Sequence, residues 1–426
     1  MNRRYFIKAG ALTLAAASQG CISRVKTEKK PDPAKIAAAF DLEIEAFMSA
    51  RGVPGGALAV VKDRRLVYAR GYGFADRAKN LPVKADSLFR IASISKSITG
   101  VAVLKLVEEG KLALDAKAFP LLGLQPAVQS FVDPEPRLRQ ITIRQLLQHT
   151  GGWDREMSFD PMFRSDRIAR ANLTPPPASA RDVIRYMLAR PLDFDPGARF
   201  AYSNFGYCVL GRVIEKVTGQ TYEQFVQEKI LAPIGIRRMR IGASLEGKQA
   251  AGEVRYYPND TAEADNVFPG EPRKVPWPYG GFHLEAMDAH GGWLASAVDL
   301  ARFAAALDDP AHSPLLKPES FATMYAPPAP PVSRRADGTV ESSFYGCGCM
   351  VRPVGTEGRV NCWHSGSLPG TSTLLVRLAN GLSWAVLFNQ RSEDKKLPDD
   401  AIDAALQRAA QAVRDWPNHD LFVESK

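Results

Sequence analysis

Apolar residues first fall into register at Ile36, Phe40, Ile44 and Phe47, a spacing that predicts an amphipathic helix opened by Asp32-Pro33 and ended by Gly52. Two strand-like runs follow, 57–61 and 66–72, with Asp63-Arg64 between them as a turn. From Ser93 to Glu109, the positions Ile94, Ile98, Val101, Leu104 and Leu106 again read as a helix, closed by Gly110. The chain then reads as helical or irregular to about residue 280, with 141–148, 180–189, 205–219 and 222–231 as the clearer helices and Pro175-Pro176-Pro177 as a break. A helix over 298–307 and a Pro-rich loop over 326–332 lead to short strands at 345–351, 359–363, 372–377 and 383–388, and a helix over 399–413 closes the chain.

Strands at both ends with helices between them predict an α/β fold, an α+β sandwich in which an antiparallel sheet is flanked by helices. The sheet domain is built from both termini, 33–90 and 281–426, and a mostly helical domain, 91–280, is inserted in it. Clefts between two such bodies are common catalytic sites.

With 426 residues, 45% hydrophobic and 24% charged, the chain is long enough to bury substantial cores, which excludes a disordered or fibrous protein. No 20–50-residue period repeats, and no apolar run is long enough to cross a bilayer. Residues 1–20 read as an export signal. Arg3-Arg4 followed by Phe6 and Lys8, then the small apolar run Ala9 to Ala17, resembles a twin-arginine signal, with an ordinary secretory signal as the alternative. Either one predicts an exported protein, periplasmic or in the cell envelope. Ala15-Ala16-Ala17 suits an ordinary signal peptidase, whereas Ser18-Gln19-Gly20-Cys21 resembles a poor lipoprotein site, making Cys21 a candidate for lipidation and a lipid the one expected membrane anchor. Residues 21–32 form a Lys-rich tether. The net charge of +9 includes this basic start, and no nucleic-acid-binding motif accompanies it.

Of the other cysteines, Cys208 sits in a helical apolar pattern as a core residue. Cys349 and Cys362 lie on two predicted strands joined by a turn at 355–358, where they could face each other, and export permits a disulfide between them. Cys347-Gly348-Cys349 has no second ligand cluster of zinc-site spacing, so neither metal nor cofactor is expected.

Ser-x-x-Lys occurs three times, at Ser23/Lys26, Ser93/Lys96 and Ser392/Lys395. The first lies in the tether and the third in a polar loop, whereas Ser93-Ile94-Ser95-Lys96 opens an amphipathic helix. There a serine and a lysine three apart share a face, and the positive helix N-terminus favours a developing alkoxide. Alone, Ser93 would read as an N-cap with Lys96 solvated. Tyr202-Ser203-Asn204 precedes the 205–219 helix and can be held rigidly, unlike Tyr257-Pro258-Asn259 in a polar stretch. A tyrosine can act as a base only if a cation such as Lys96 lowers its phenolic pKa. The third element, His364-Ser365-Gly366, enters the strand running through Thr371 to Arg377; His149-Thr150-Gly151 is its earlier counterpart and reads as structural.

These motifs, with their flanks at 89–100, 146–152, 196–219, 291–303 and 363–373, resemble class C β-lactamases, family VIII carboxylesterases and the related DD-peptidases and D-aminopeptidases over roughly residues 35–415. The resemblance implies Ser93 as nucleophile, Lys96 as proton relay and Tyr202 as the base for acylation. It further implies that Asn204, His364, Ser365 and Gly366 bind the substrate, and that the backbone N–H groups of Ser93 and Ser367 form the oxyanion hole. His364 stands where those β-lactamases usually carry Lys, and a largely neutral imidazole grips a carboxylate less, which tilts the expectation toward esters or uncharged amides. The expected partner is a small or peptide-like acyl substrate. β-Lactamase, DD-peptidase and D-aminopeptidase activity, a penicillin-binding sensor without turnover and a wall-binding module remain the rivals. An α/β-hydrolase is excluded by the lack of Gly-x-Ser-x-Gly, and a zinc deaminase by the lack of Pro-Cys-x-x-Cys.

Overall fold

A computed structural model describes residues 33–127, 135–258, 263–270, 273–329, 343–355, 358–392 and 397–424. The expected export signal, the Cys21 lipidation site, the tether, the end of the Pro-rich loop, Asn259 and Lys395 lie outside the described residues.

The strands are β1 (Gly55–Lys62), β2 (Arg65–Asp76), β3 (Leu81–Pro82), β4 (Phe89–Arg90), β5 (Arg240–Ile241), β6 (Glu263–Asp265), β7 (Lys274–Pro276), β8 (Trp293–Ala295), β9 (Phe344–Tyr345), β10 (Met350–Val354), β11 (Arg359–Leu368), β12 (Thr371–Arg377) and β13 (Leu382–Phe388). The helices are α1 (Pro33–Arg51), α2 (Ser95–Glu108), α3 (Ala118–Leu122), α4 (Ile143–Leu147), α5 (Ser165–Asn172), α6 (Ala180–Met187), α7 (Asn204–Thr218), α8 (Tyr222–Val226), α9 (Ala297–Ala306), α10 (Pro318–Met324), α11 (Ala401–Ala412) and α12 (Leu421–Glu424).

Eight strands pair antiparallel in the order β3-β2-β1-β13-β12-β11-β10-β9, so the sheet is built from both ends of the chain, as expected. β1 is the seam, with β2 on one side and β13 on the other, in a register that sets Ala59 opposite both Ala69 and Ala385. Its side chains alternate. Leu58 and Val60 join Trp384, Val386 and Leu406 beneath α1 and α11, while Ala57, Ala59 and Val61 join the larger core that includes Ile98, Val101 and Leu300. Because both faces are covered, β1, β12 and β13 are almost wholly buried and read as continuous apolar runs rather than alternating ones. Each large side chain so buried is worth about 1.5–3 kcal/mol.

Two expected strands are redrawn. The run 345–351 is broken between β9 and β10 by a turn in which Gly348 takes φ +99° and the Gly346 N–H donates to the Cys349 carbonyl at 2.8 Å. That turn packs on α2: the Ser97 hydroxyl donates to the Gly348 carbonyl at 2.7 Å, and a Cβ on Gly100 would lie 2.5 Å from the Cys347 carbonyl oxygen. β11 runs on past Trp363, so His364, Ser365 and Gly366 belong to it rather than to β12.

The expected Cys349–Cys362 disulfide is absent, and both residues are buried free thiols. The β10–β11 register sets Cys362 opposite Val351, two residues beyond Cys349. Such diagonal neighbours have Cα atoms about 7–8 Å apart, beyond the span of about 6.8 Å that a disulfide bridges.

Candidate active site

Ser93 does not open an α-helix. It occupies a 3₁₀ turn, Ala92–Ile94, and α2 starts at Ser95 with no side-chain cap. Ala92 has φ +48°, a left-handed backbone that costs a non-glycine residue on the order of 1–3 kcal/mol and persists only where its surroundings enforce it. Here the enforcement is visible. The Ile91 N–H donates to the Trp293 carbonyl at 2.9 Å, the Ile91 carbonyl accepts from the Thr373 hydroxyl at 2.9 Å, and the Ile94 N–H closes back on Ile91 at 3.2 Å. β11 presses on the same turn. A Cβ on Gly366 would lie 2.2 Å from Thr373 Oγ1 and 2.3 Å from the Ile91 carbonyl oxygen, so only glycine permits the approach. Strand and Ser93 turn are thereby locked together, with Ser365 and Ser367 exposed on the strand and Gly366 buried between them.

Lys96 lies one turn into the helix and is fully buried. Its Nζ has three oxygen neighbours: Ser93 Oγ at 3.1 Å, Asn204 Oδ1 at 2.7 Å and the His290 carbonyl at 2.9 Å. Burial holds its pKa well below the ordinary lysine value, Asp160 partly offsetting and Arg155 reinforcing the shift. In the neutral amine both hydrogens go to the two carbonyl acceptors, which leaves the lone pair for the Ser93 hydroxyl.

Tyr202 reaches this group from the residues before α7, whose Ser203 cap accepts the Gly206 N–H at 3.3 Å. Its ring lies 4.8 Å from Lys96 Nζ, and its hydroxyl is within hydrogen-bond reach of Ser93. Burial raises its pKa, with Asp160 adding a little, and the Ser93 hydrogen bond and Arg155 oppose this only in part. His149, expected to be structural, is the platform beneath it. The His149 Nδ1 accepts the Ser203 N–H at 3.2 Å, and its ring centroid is 4.4 Å from that of Tyr202 and 4.3 Å from that of Tyr345. The second Tyr-x-Asn leads elsewhere, Tyr257 accepting the Arg77 N–H at 2.7 Å.

His364 is buried on the face of β11 turned to this cluster, its ring 6.3 Å from Tyr202. Its Nδ1 is 2.7 Å from the Ser365 carbonyl and therefore carries the proton, so Nε2 accepts from the Tyr345 hydroxyl at 2.8 Å. Burial, and next the nearby Lys96 when it carries a proton, push its pKa down to about 3. The imidazole is neutral and both nitrogens are engaged.

Two neighbours escaped sequence reasoning, both in the loop after Trp153. Asp160 Oδ2 accepts from Asn204 Nδ2 at 2.6 Å, and its Oδ1 accepts the Met162 N–H at 3.0 Å. The guanidinium of Arg155 lies 5.3 Å from the Tyr202 ring centroid. Asp160-Pro161 carries a legible signal as the cap of a 3₁₀ turn, but nothing local ties it to Asn204.

Among the described residues no helix is long and apolar enough to cross a membrane, and no group of three His, Cys, Asp or Glu could hold a metal. Over 355 residues the chain is 26% identical to penicillin-binding protein 4* of Bacillus subtilis (strain 168), covering 82% of this chain and 71% of that protein. It is 33% identical to esterase EstB of Burkholderia gladioli over 217 residues, 48% of this chain and about half, 52%, of that protein. The fold is similar to that of the octameric penicillin-binding protein homologue from Pyrococcus abyssi, with TM-score 0.67 and 26% identity, covering 88% of this chain and 77% of that one. It is also similar to that of the D-amino acid amidase from Ochrobactrum anthropi SV3, with TM-score 0.66 and 22% identity, covering 89% and 99%. Residues 40–409 match the family model described as Beta-lactamase, and the chain therefore belongs to that family of serine hydrolases.

Proposed function

We propose that this hydrolase is an exported esterase in which Ser93 forms an acyl-enzyme with an uncharged ester, or more slowly with an amide. The observation that carries the reading is the placement of Lys96, whose buried Nζ lies 3.1 Å from Ser93 Oγ and is flanked by the Asn204 and His290 carbonyl oxygens, so that a neutral amine there would donate to the two carbonyls and turn its lone pair to Ser93. As Ser93 Oγ bonds to the carbonyl carbon, its proton passes to Lys96 and the carbonyl π pair moves to oxygen, which the Ser93 and Ser367 N–H groups stabilise. The Lys96 ammonium then returns the proton to the leaving alkoxide as the C–O bond breaks. Water repeats the sequence on the acyl-enzyme and releases the acid. Tyr202, kept protonated by burial, serves as a hydrogen-bond donor beside Ser93 rather than as the base. Asn204 orients Lys96, and Ser365 offers the substrate a hydroxyl at the rim.

The ester preference is supported by His364, which is neutral and has no free N–H to grip a carboxylate, and by the partial similarity to esterase EstB. Short acyl p-nitrophenyl esters should be hydrolysed by the parent and not by Ser93→Ala, with the acylated mass on Ser93 of the parent. Equal rates for the two proteins would refute the reading. β-Lactamase, DD-peptidase or D-aminopeptidase activity is the second reading, favoured by the longer alignment with penicillin-binding protein 4*. Faster turnover of nitrocefin or a D-peptide than of any ester would establish it, and labelled penicillin that stays bound would indicate a sensor.

A further inference from the structure

The carboxylate of Asp160 ends a chain of contacts that begins at the nucleophile: Ser93 Oγ to Lys96 Nζ at 3.1 Å, Nζ to Asn204 Oδ1 at 2.7 Å, and Asn204 Nδ2 to Asp160 Oδ2 at 2.6 Å. Asn204 can bridge a cation and an anion because its amide has an acceptor at one end and a donor at the other, and a carboxylate can only accept. Asp160 therefore decides which way the amide faces. Both Asp160 oxygens receive an N–H, from Asn204 and from Met162, and neither donor can take a proton in return. Burial raises the pKa of Asp160 while these hydrogen bonds, Lys96 and Arg155 oppose the rise.

Resting on the proposed acylation of Ser93, we propose that Asp160 is a positioning residue for it. Through Asn204 it turns the amide oxygen toward Lys96 and supplies the negative charge that stabilises the ammonium formed when Lys96 takes the Ser93 proton. The proton moves from Ser93 Oγ to Lys96 Nζ and later to the leaving oxygen; Asp160 and Asn204 neither gain nor lose one. A carboxylate beside a buried base is how a catalytic imidazole is held in serine proteases, and here an amide is interposed between carboxylate and base. The other groups around Lys96 do not supply this charge. Arg155 opposes it; His149, His290 and His364 are held neutral by burial; Tyr202 and Tyr207 present rings at 4.8 and 5.8 Å.

Two readouts test the proposal in the full chain. In protein with ¹³C-labelled lysine, the Lys96 ε-carbon resonance, assigned by its loss in Lys96→Arg, is titrated in the parent and in Asp160→Asn. Loss of the carboxylate should lower the midpoint by about one pH unit or more. The rate at which a fluorophosphonate labels Ser93, followed by intact mass, should have an acid limb displaced to lower pH in Asp160→Asn and a plateau about tenfold lower, because the weaker base accepts the proton less readily. On an Asn204→Ala background the Asp160→Asn change should alter the plateau less than threefold. An unmoved Lys96 midpoint overturns the charge role whether or not any ester is hydrolysed, and equal effects in the two backgrounds overturn the role of Asn204. A midpoint that falls in a protein whose Ser93 never labels would instead sink the acyl-enzyme reading and leave the electrostatic coupling standing.

Discussion

Gly366→Ala measures how tightly β11 is fitted to the turn that carries Ser93. The added methyl carbon would sit 2.3 Å from the Ile91 carbonyl oxygen, 2.2 Å from Thr373 Oγ1 and 3.1 Å from Ala92 Cβ. Carbon–oxygen contacts in proteins normally close no nearer than about 3.3 Å, so strand and turn must part by about 1 Å. Neither obstacle can swing aside. Ile91 O is backbone, and the Thr373 hydroxyl is held by Ile91 O at 2.9 Å and the Gly366 carbonyl at 3.3 Å. Overpacking of this kind costs about 1–3 kcal/mol of stability, which leaves the fold intact. A displacement of about 1 Å between Ser93 and the proposed oxyanion donors would cost on the order of 100-fold in rate, equivalent to about 2.7 kcal/mol of transition-state stabilisation. Steady-state hydrolysis of p-nitrophenyl butyrate, alongside thermal unfolding, reads both quantities. A folded variant with kcat/KM within threefold of the parent would refute the reasoning, because the close approach would then have no bearing on the chemistry.

Acid should loosen the fold through His364. Its folded value of about 3 lies below the ordinary 6.5, so its contribution is complete above about pH 6.5, falls as pH drops toward 3, and amounts to a loss of about 2 kcal/mol at pH 5. Thermal unfolding at pH 7.5 and pH 5 should show that slope in the parent and a shallower one in His364→Gln; identical slopes would count against the buried neutral imidazole. Tyr345→Phe removes the donor to His364 Nε2 and should cost about 1–3 kcal/mol by chemical denaturation, and a variant as stable as the parent would show that bond to be dispensable.

The sequence made the sheet legible where burial is two-sided. The apolar runs of β1, β12 and β13 and the helical spacing of α1 sit where they were expected. Ser93, Lys96, Tyr202 and His364 could be found because each stands in a short motif beside a helix or strand, and the fold brings them together. Asp160 and Arg155 could not, since their partners are more than forty residues away in a loop with no periodicity. Residues 345–351 read as one strand because a left-handed glycine, Gly348, leaves no trace in an apolar pattern. The thiol pair misled because composition says which strands carry cysteine, while the register that offsets them leaves no mark in the residue pattern.

The place of β1 between β2 and β13 bears on how the chain acquires its structure. Gly56 pairs with Tyr72 on one side and with Phe388 on the other, so half of this strand's partners are synthesised at once and the other half some 300 residues later. Until the last strand arrives, an apolar edge stands open to any extended segment, its own or another molecule's. Closure over so long a loop is slow. Removing residues 378–426 should therefore not trim the molecule but leave an aggregating fragment.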